Sequence, residues 1–260
     1  MLPTVDFCGL NVTRLIIGAN PFGGYSHQNP ERDRSMVSYY TKERIFETWQ
    51  RAEAAGINTM VTNTETPHVV EATQKYLSGG GRLQWIAQAG TASLEDMPGC
   101  VDKAVETGAS ALFFHGGIVD NLFAAGDETT LRQWVSHTRR HGIPIGSAAH
   151  SPEVHYWMDN MDLLDFHVVC FFNCGSLRNS GGHRFHLTNA LQATECIRRL
   201  RKPCIGYKIM AAGRIDATMA FEYAFDNIKS TDVVNVGMHR GDKDDMVEEN
   251  AGIVQRLLCG

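Results

Sequence analysis

Eight apolar runs, each followed by helical periodicity, recur along the chain at intervals of roughly thirty residues, and this alternation constrains the fold most strongly. The runs are Arg14 to Ala19, Ile57 to Thr62, Leu83 to Gln88, Ala109 to His115, Ile143 to Ala149, Phe166 to Phe172, Pro203 to Ile209 and Val233 to Gly237. Near-continuous hydrophobicity means burial on both faces, as in parallel strands covered by helices. Eight such units in 260 residues predict one (β/α)8 TIM barrel over the whole chain, a fold that needs about 250 residues. In such a barrel the chemistry collects where the strands end, so the residues closing each run are the ones to examine.

The helical stretches are punctuated by their own signals. Lys42 to Ala55 places Ile45, Trp49 and Ala52 on one face and stops at Gly56, while Ser93 is positioned to cap the helix that follows the third run. Val69 to Leu77, Asp127 to His141, Leu187 to Leu200 and Met246 to Leu258 supply further helices. Two polar segments break the pattern. Tyr25 to Thr41, with Pro30 in its middle, reads as a long loop rather than a helix, and Ser176 to His186 reads as a second. Loops of this length are usually lids, binding loops or disordered segments.

Bulk properties exclude several classes. A net charge of -5 without a basic block gives no nucleic-acid surface, and 43% hydrophobic residues suit a packed core rather than disorder. No run approaches the ~20 apolar residues of a spanning helix, and the N-terminus lacks the charged flank and apolar stretch of a leader. Seven cysteines scattered without paired spacing suit a reducing compartment. The expectation is a cytoplasmic protein acting on a small molecule, with no membrane partner. Nothing in the composition fixes an oligomeric state.

The polar residues at the strand ends are Asn20, Asn63, Glu65, Gln88, His115, His150, Asn173, Cys174, Lys208 and His239. Imidazoles from different strands can share protons or bind a divalent metal, so His115, His150 and His239, with Glu65 as carboxylate, form a candidate metal set. No CxxC, HExxH or HxH spacing supports that set further. The remaining histidines of helices and strand starts, His137, His141, His155 and His167, read as structural. Lys208 interrupts an apolar run, where an unpaired charge is costly. It could serve as an acid/base group, an oxyanion stabiliser or a Schiff-base amine. Asn20, Asn63, Gln88 and Asn173 suit hydroxyl recognition, and Arg214 an anionic group.

Several segments resemble the aldo/keto reductase superfamily in order and spacing. They are Gly9 to Gly24, Ala55-Gly56-Ile57-Asn58, Phe114-His115-Gly116, Ile145 to Glu153, Tyr207 to Gly213, and Gly237-Met238 with Glu248-Glu249-Asn250. The resemblance spans nearly the whole chain and implies that family's barrel. Family members reduce carbonyls with NADPH through an Asp, a Tyr, a Lys and a His, and of these only the His carries over, onto His115. Thr59-Met60-Val61-Thr62 stands where the Asp would fall, no tyrosine follows at the expected place, and Gln88 replaces the Lys. Acids in His239 to Asp245 stand where the family meets a cofactor phosphate, and only Asn250 matches there.

The residues therefore favour a barrel that keeps the fold without the NADPH chemistry. The leading expectation is non-redox acid/base catalysis next to a carbonyl of a small sugar-like substrate, as a lyase, hydratase or isomerase. His115, His150 and Lys208 would carry it, with a divalent metal as a possible cofactor. The alternatives are a divergent NAD(P)H-dependent reductase and a non-catalytic sugar-binding barrel.

Overall fold

A computed structural model describes residues 1–173 and 185–260. Cys174 and most of the second polar segment lie outside the described residues.

The chain opens with an antiparallel hairpin, β1 (Thr4–Phe7) and β2 (Leu10–Thr13), which sequence patterning leaves as a turn region. Its two-residue connection, Cys8-Gly9, takes positive φ at both positions (56° and 86°), the geometry that suits a tight hairpin. Phe7 and Val12 are fully buried, and Phe7 packs edge-on against Phe166 with ring centroids 5.2 Å apart. They join Ile16, Val168, Ile205 and Val233 in the barrel interior, so the hairpin plugs the end where the strands begin. Access to the interior is left to the opposite end.

Eight parallel strands then close the barrel: β3 (Leu15–Gly18), β4 (Thr59–Asn63), β5 (Gln84–Ala89), β6 (Ala109–Phe114), β7 (Ile145–Ala149), β8 (Phe166–Cys170), β9 (Cys204–Tyr207) and β10 (Val233–Gly237), with β10 paired to β3. All eight lie within or across the apolar runs of the sequence. Their side chains alternate. Ile16, Val61, Ile86, Phe113, Ala148, Ile205 and Val233 fill the interior, whereas Ile17, Leu112, Phe114, Ala149, Val234 and Val236 pack under the helices. Two buried faces explain why the strands read as continuous hydrophobic runs. The same alternation, carried two residues on, turns Asn63, Gln88, His115, His150 and Tyr207 toward the inside at the strand ends, and Asn235 inward at the middle of β10.

The helices are α1 (Pro30–Tyr39), α2 (Lys42–Ala54), α3 (Pro67–Ser78), α4 (Met97–Thr107), α5 (Gly116–Ala125), α6 (Glu128–Arg139), α7 (Pro152–Met161), α8 (Thr188–Arg199), α9 (Ala217–Asn227) and α10 (Met246–Cys259). Two depart from expectation. Helix α1 occupies the segment read as a loop: Asn29 caps it by accepting from the Arg32 N–H at 2.8 Å, and Pro30 sits at the first helical position, where its missing N–H costs nothing. Helix α5 starts directly after His115, so β6 is followed by two helices, and Asp127 caps only the second. Ser93 precedes a short 3-10 turn, Leu94–Asp96, and makes no side-chain cap; α4 begins after it.

Candidate active site

The best-defined polar pair at the barrel mouth is His150 and Asp120. His150 lies one residue beyond β7, and its ring Nδ1 is 2.7 Å from Asp120 Oδ2. Its backbone N–H also donates to Asp120 Oδ1 at 3.2 Å. One carboxylate thus orients the ring and places the proton on Nδ1, leaving the Nε2 lone pair as the basic site. The sequence explains how Asp120 gets there. A Cβ at Gly116 would stand 3.2 Å from the backbone of Ala148 and Ala149, a contact tight enough that backbone would have to shift by a few tenths of an ångström, so glycine favours the close start of α5 against β7. Asp120, one turn along, then meets the end of that strand.

Tyr207, the last residue of β9, faces the same ring, and Lys208 follows it at the strand exit. Tyr207 packs on the interior cluster and presents its ring edge-on to His150, centroids 6.2 Å apart. Lys208 is not inside the strand, as the apolar run had implied; the strand ends at Tyr207 and Lys208 adopts φ 56°. This left-handed turn redirects the side chain, and the ammonium lies 5.4 Å from the centre of the Tyr207 ring, within reach of a cation–π contact. Ala211, Ala212 and Gly213 also have positive φ (50°, 59° and 78°). Consecutive residues in this region cost free energy and cluster at functional loops. Arg214 fastens the loop, donating to the carbonyls of Ala211 at 2.8 Å and His27 at 3.4 Å. Its guanidinium therefore braces backbone rather than standing open for an anion.

Across the mouth, Asn63 and Gln88 are register partners on β4 and β5. Asn63 is buried, and its Oδ1 accepts the backbone N–H groups of Glu65 and Thr66 at 3.1 and 2.8 Å, shaping the turn into α3. Glu65 is directed by that turn against Gly90, whose missing side chain leaves room for the carboxyl. Burial pushes the Glu65 pKa up, so it keeps its proton to higher pH than an ordinary carboxyl. Asn20 is exposed and its amide lies 3.4 Å from His27 Nε2. Asn173 lines a cavity of ≈ 240 Å³ together with His150, Glu153, Asn189 and Gln192, and its Oδ1 is buried without a hydrogen-bond partner among the described residues.

Sequence reasoning missed three members of this site. Asp120 sits in a helix that patterning did not separate, and Tyr207 was absorbed into a strand. Asn235 occupies the middle of β10 with its Oδ1 buried, unpartnered among the described residues, and close to Gly18. The one available signal was alternation, which turns both Tyr207 and Asn235 inward.

The four residues of the candidate metal set do not meet. His239 is buried beside α1, its ring 5.3 and 5.4 Å from those of Tyr39 and Tyr40, and burial lowers its pKa. His150 is held by Asp120, Glu65 leans on β5, and His115 is half-buried, its carbonyl accepting the first N–H bonds of α5. Among the described residues, ligand atoms of three His, Cys, Asp or Glu side chains come within 4.8 Å of one another only at Asp102, His137 and His141, outside the barrel.

The loop after β10, where the resemblance would place a cofactor phosphate, does not fit one. Arg240 is nearly buried and donates to Glu47 and Asp244, each at 2.7 Å. Arg32 pairs with Asp242, and Arg51 with Asp244 and Glu248 at 2.8 and 2.6 Å. Each of these cations is already matched by carboxylates, and a phosphate would have to displace them.

No protein-family model matches the chain, and no curated protein sequence does. Solved structures are similar along its length. A protein from Pseudomonas aeruginosa, provisionally described as an aldo-keto reductase, superposes with a TM-score of 0.70 over 98% of this chain and 94% of its own, at 17% identity. The fold is a (β/α)8 barrel similar to that protein's. Orotidine 5'-monophosphate decarboxylase from Methanocaldococcus jannaschii shares the barrel at TM-score 0.59 and 12% identity, covering 96% of this chain and 100% of its own. An aldolase, QR15, matches at TM-score 0.53 and 13% identity over 85% and 90%. These aldo-keto reductase-like and other barrels are enzymes by description, at identities that speak to fold alone. Among the described residues, no helix is long and apolar enough to cross a membrane.

Proposed function

We propose that this barrel is an enzyme that moves protons next to the carbonyl of a small polyhydroxylated substrate, as an isomerase or lyase. The observation that carries the reading is the Asp120–His150 pair, whose geometry leaves Nε2 of an oriented imidazole as a base at the mouth. His150 Nε2 takes the proton from the carbon beside the carbonyl, and the C–H electron pair moves onto the carbonyl oxygen as an enolate. The Lys208 ammonium and the Tyr207 hydroxyl are the groups on hand to stabilise that oxygen. Transfer of the proton of the adjacent hydroxyl to the enolate oxygen, followed by return of the abstracted proton to the former carbonyl carbon, completes an isomerisation. Loss of a β-hydroxyl, protonated as it leaves as water, completes an elimination, and Glu65, whose pKa desolvation raises above that of an ordinary carboxyl, is the candidate donor of that proton. His115, at the end of the neighbouring strand β6, is the second candidate proton carrier. Asn63, Gln88 and Asn173 give the rim amide groups that suit hydroxyls, with Asn235 deeper on β10.

The test needs no cofactor. Triose to hexose aldoses and ketoses are incubated with the protein in D2O, and loss of the C–H signal beside the carbonyl is followed by proton NMR. Exchange in one or more sugars supports the reading. A parallel fluorescence titration with NADPH addresses the reductase reading: micromolar binding together with carbonyl-dependent oxidation, and no exchange, would replace the proposal.

A further inference from the structure

Outside the barrel, α4 and α6 bring together a set of side chains that the mouth does not use. His137, in the last turn of α6, and His141, one turn further on, both point Nε2 at the same oxygen of Asp102 on α4, at 2.6 and 2.7 Å. We propose that Asp102, His137 and His141 bind a borderline divalent cation, Zn2+ or a chemical relative such as Co2+ or Ni2+, and so tie α4 to α6.

The argument rests on ligand type, spacing and access. Two imidazole nitrogens and a carboxylate oxygen, with water completing the shell, are a ligand set such cations accept. His141 lies two residues past the end of α6, in a turn closed by its N–H donating to the Thr138 carbonyl at 3.0 Å, and both rings reach the same Asp102 oxygen. The three ligand atoms already lie within 4.8 Å of one another, so a cation can replace the protons that now join them by displacing the Asp102 oxygen outward. Asp102 can move, its side chain being 43% exposed, and the rings are partly open to solvent. The carbonyl end of α6 adds a favourable potential for positive charge.

One neighbour opposes loading and makes the proposal specific. Arg140 donates from Nη2 to His137 Nδ1, which favours the tautomer carrying its proton on Nε2, the metal-free arrangement. A cation on Nε2 requires the proton on Nδ1 and expels the Arg140 guanidinium, which is exposed and can leave. Arg139 is neutralised by Asp165 at 2.7 Å and adds little further repulsion.

Isothermal titration of the tag-free full chain with ZnCl2 tests this, with Co2+ absorption reporting the ligand geometry. The expected result is one equivalent bound in the micromolar range, visible bands of low-coordinate Co2+, weakening by about tenfold or more in H137A and in H141A, and tighter binding in R140Q. Thermal melts without metal verify that each variant is folded. R140Q, a surface change, keeps the test open should a histidine variant fail to fold. Absence of saturable micromolar binding, undiminished binding in the H137A/H141A double variant, or equal or weaker binding in R140Q overturns the assignment.

Discussion

Asp120 holds His150 by two hydrogen bonds at once, one to the ring Nδ1 at 2.7 Å and one from the backbone N–H at 3.2 Å. The imidazole is thereby fixed in position, orientation and tautomer before any substrate arrives, which is what a proton carrier requires. Asp120→Asn keeps the shape and can offer its amide to Nδ1, reversing the tautomer. The expected outcome is a fall in turnover of roughly 10²-fold or more with a thermal midpoint close to wild type, measured by kinetics and calorimetry.

Gly116 is the structural cause of that pair. Gly116→Ala places a methyl group 3.2 Å from the backbone of Ala148 and Ala149, and backbone cannot yield as a side chain does. The predicted cost is about 1–3 kcal/mol of stability in a urea titration, together with reduced turnover as α5 is pushed from β7. Gly126→Ala closes the same helix at φ 65° but with no atom within 4 Å, so it should lose stability with little change in turnover of the remaining folded protein.

Tyr207 and Lys208 are assigned to the developing oxyanion. Lys208→Met removes the charge while keeping most of the side-chain volume, and Tyr207→Phe removes only the hydroxyl. Each should lower kcat by about 10–10³-fold, with a smaller effect on KM, since the interaction is made chiefly in the transition state. Equal losses in kcat/KM through KM alone would reassign them to substrate binding.

A buried histidine pair sets the acid limit of the fold. His155 on α7 and His167 on β8 approach at Nδ1 to Nδ1, 3.3 Å, with Asp159 3.6 Å from the far nitrogen of His167. Burial lowers both pKa values, that of His155 strongly, and Asp159 only partly offsets this for His167. In the unfolded chain each titrates near ~6.5. The folded state therefore binds fewer protons than the unfolded state below that pH. The contribution is fully present above it and is lost as pH falls toward the folded pKa values, on the order of 1 kcal/mol per pH unit for each group. Thermal midpoints should drop steeply between neutral pH and mildly acidic pH, and a variant replacing His155 by an apolar residue should flatten that slope. A midpoint independent of pH over that interval would contradict the assignment.

The strands were legible because burial on both faces writes itself as uninterrupted hydrophobicity, and every strand of the barrel coincides with such a run. The hairpin was not, since two apolar residues in each four-residue strand, Val5 and Phe7 in one and Leu10 and Val12 in the other, make too short an alternation to stand out. Helix α1 escaped because Met36 is its one buried residue, so no apolar face is inscribed in it; its cap and its first-turn proline were the only signals. At the site, His115, His150 and Lys208 stood out as polar residues ending apolar runs. Their grouping did not, because it depends on which loop turns where. His239 follows β10 like the others yet is drawn under α1 by Tyr39 and Tyr40. Asp120 reaches His150 across 30 positions of sequence through a helix contact that only a tertiary structure supplies.

The central claim is that His150, set by Asp120, is the base at the barrel mouth. The most direct measurement is the rate of solvent-deuterium exchange beside the carbonyl of whichever sugar the wild-type protein labels, compared with His150→Ala at equal folded concentration. A loss of roughly 10²–10⁴-fold, with the thermal midpoint little changed, is the predicted result. Exchange that proceeds in His150→Ala at the wild-type rate would contradict it.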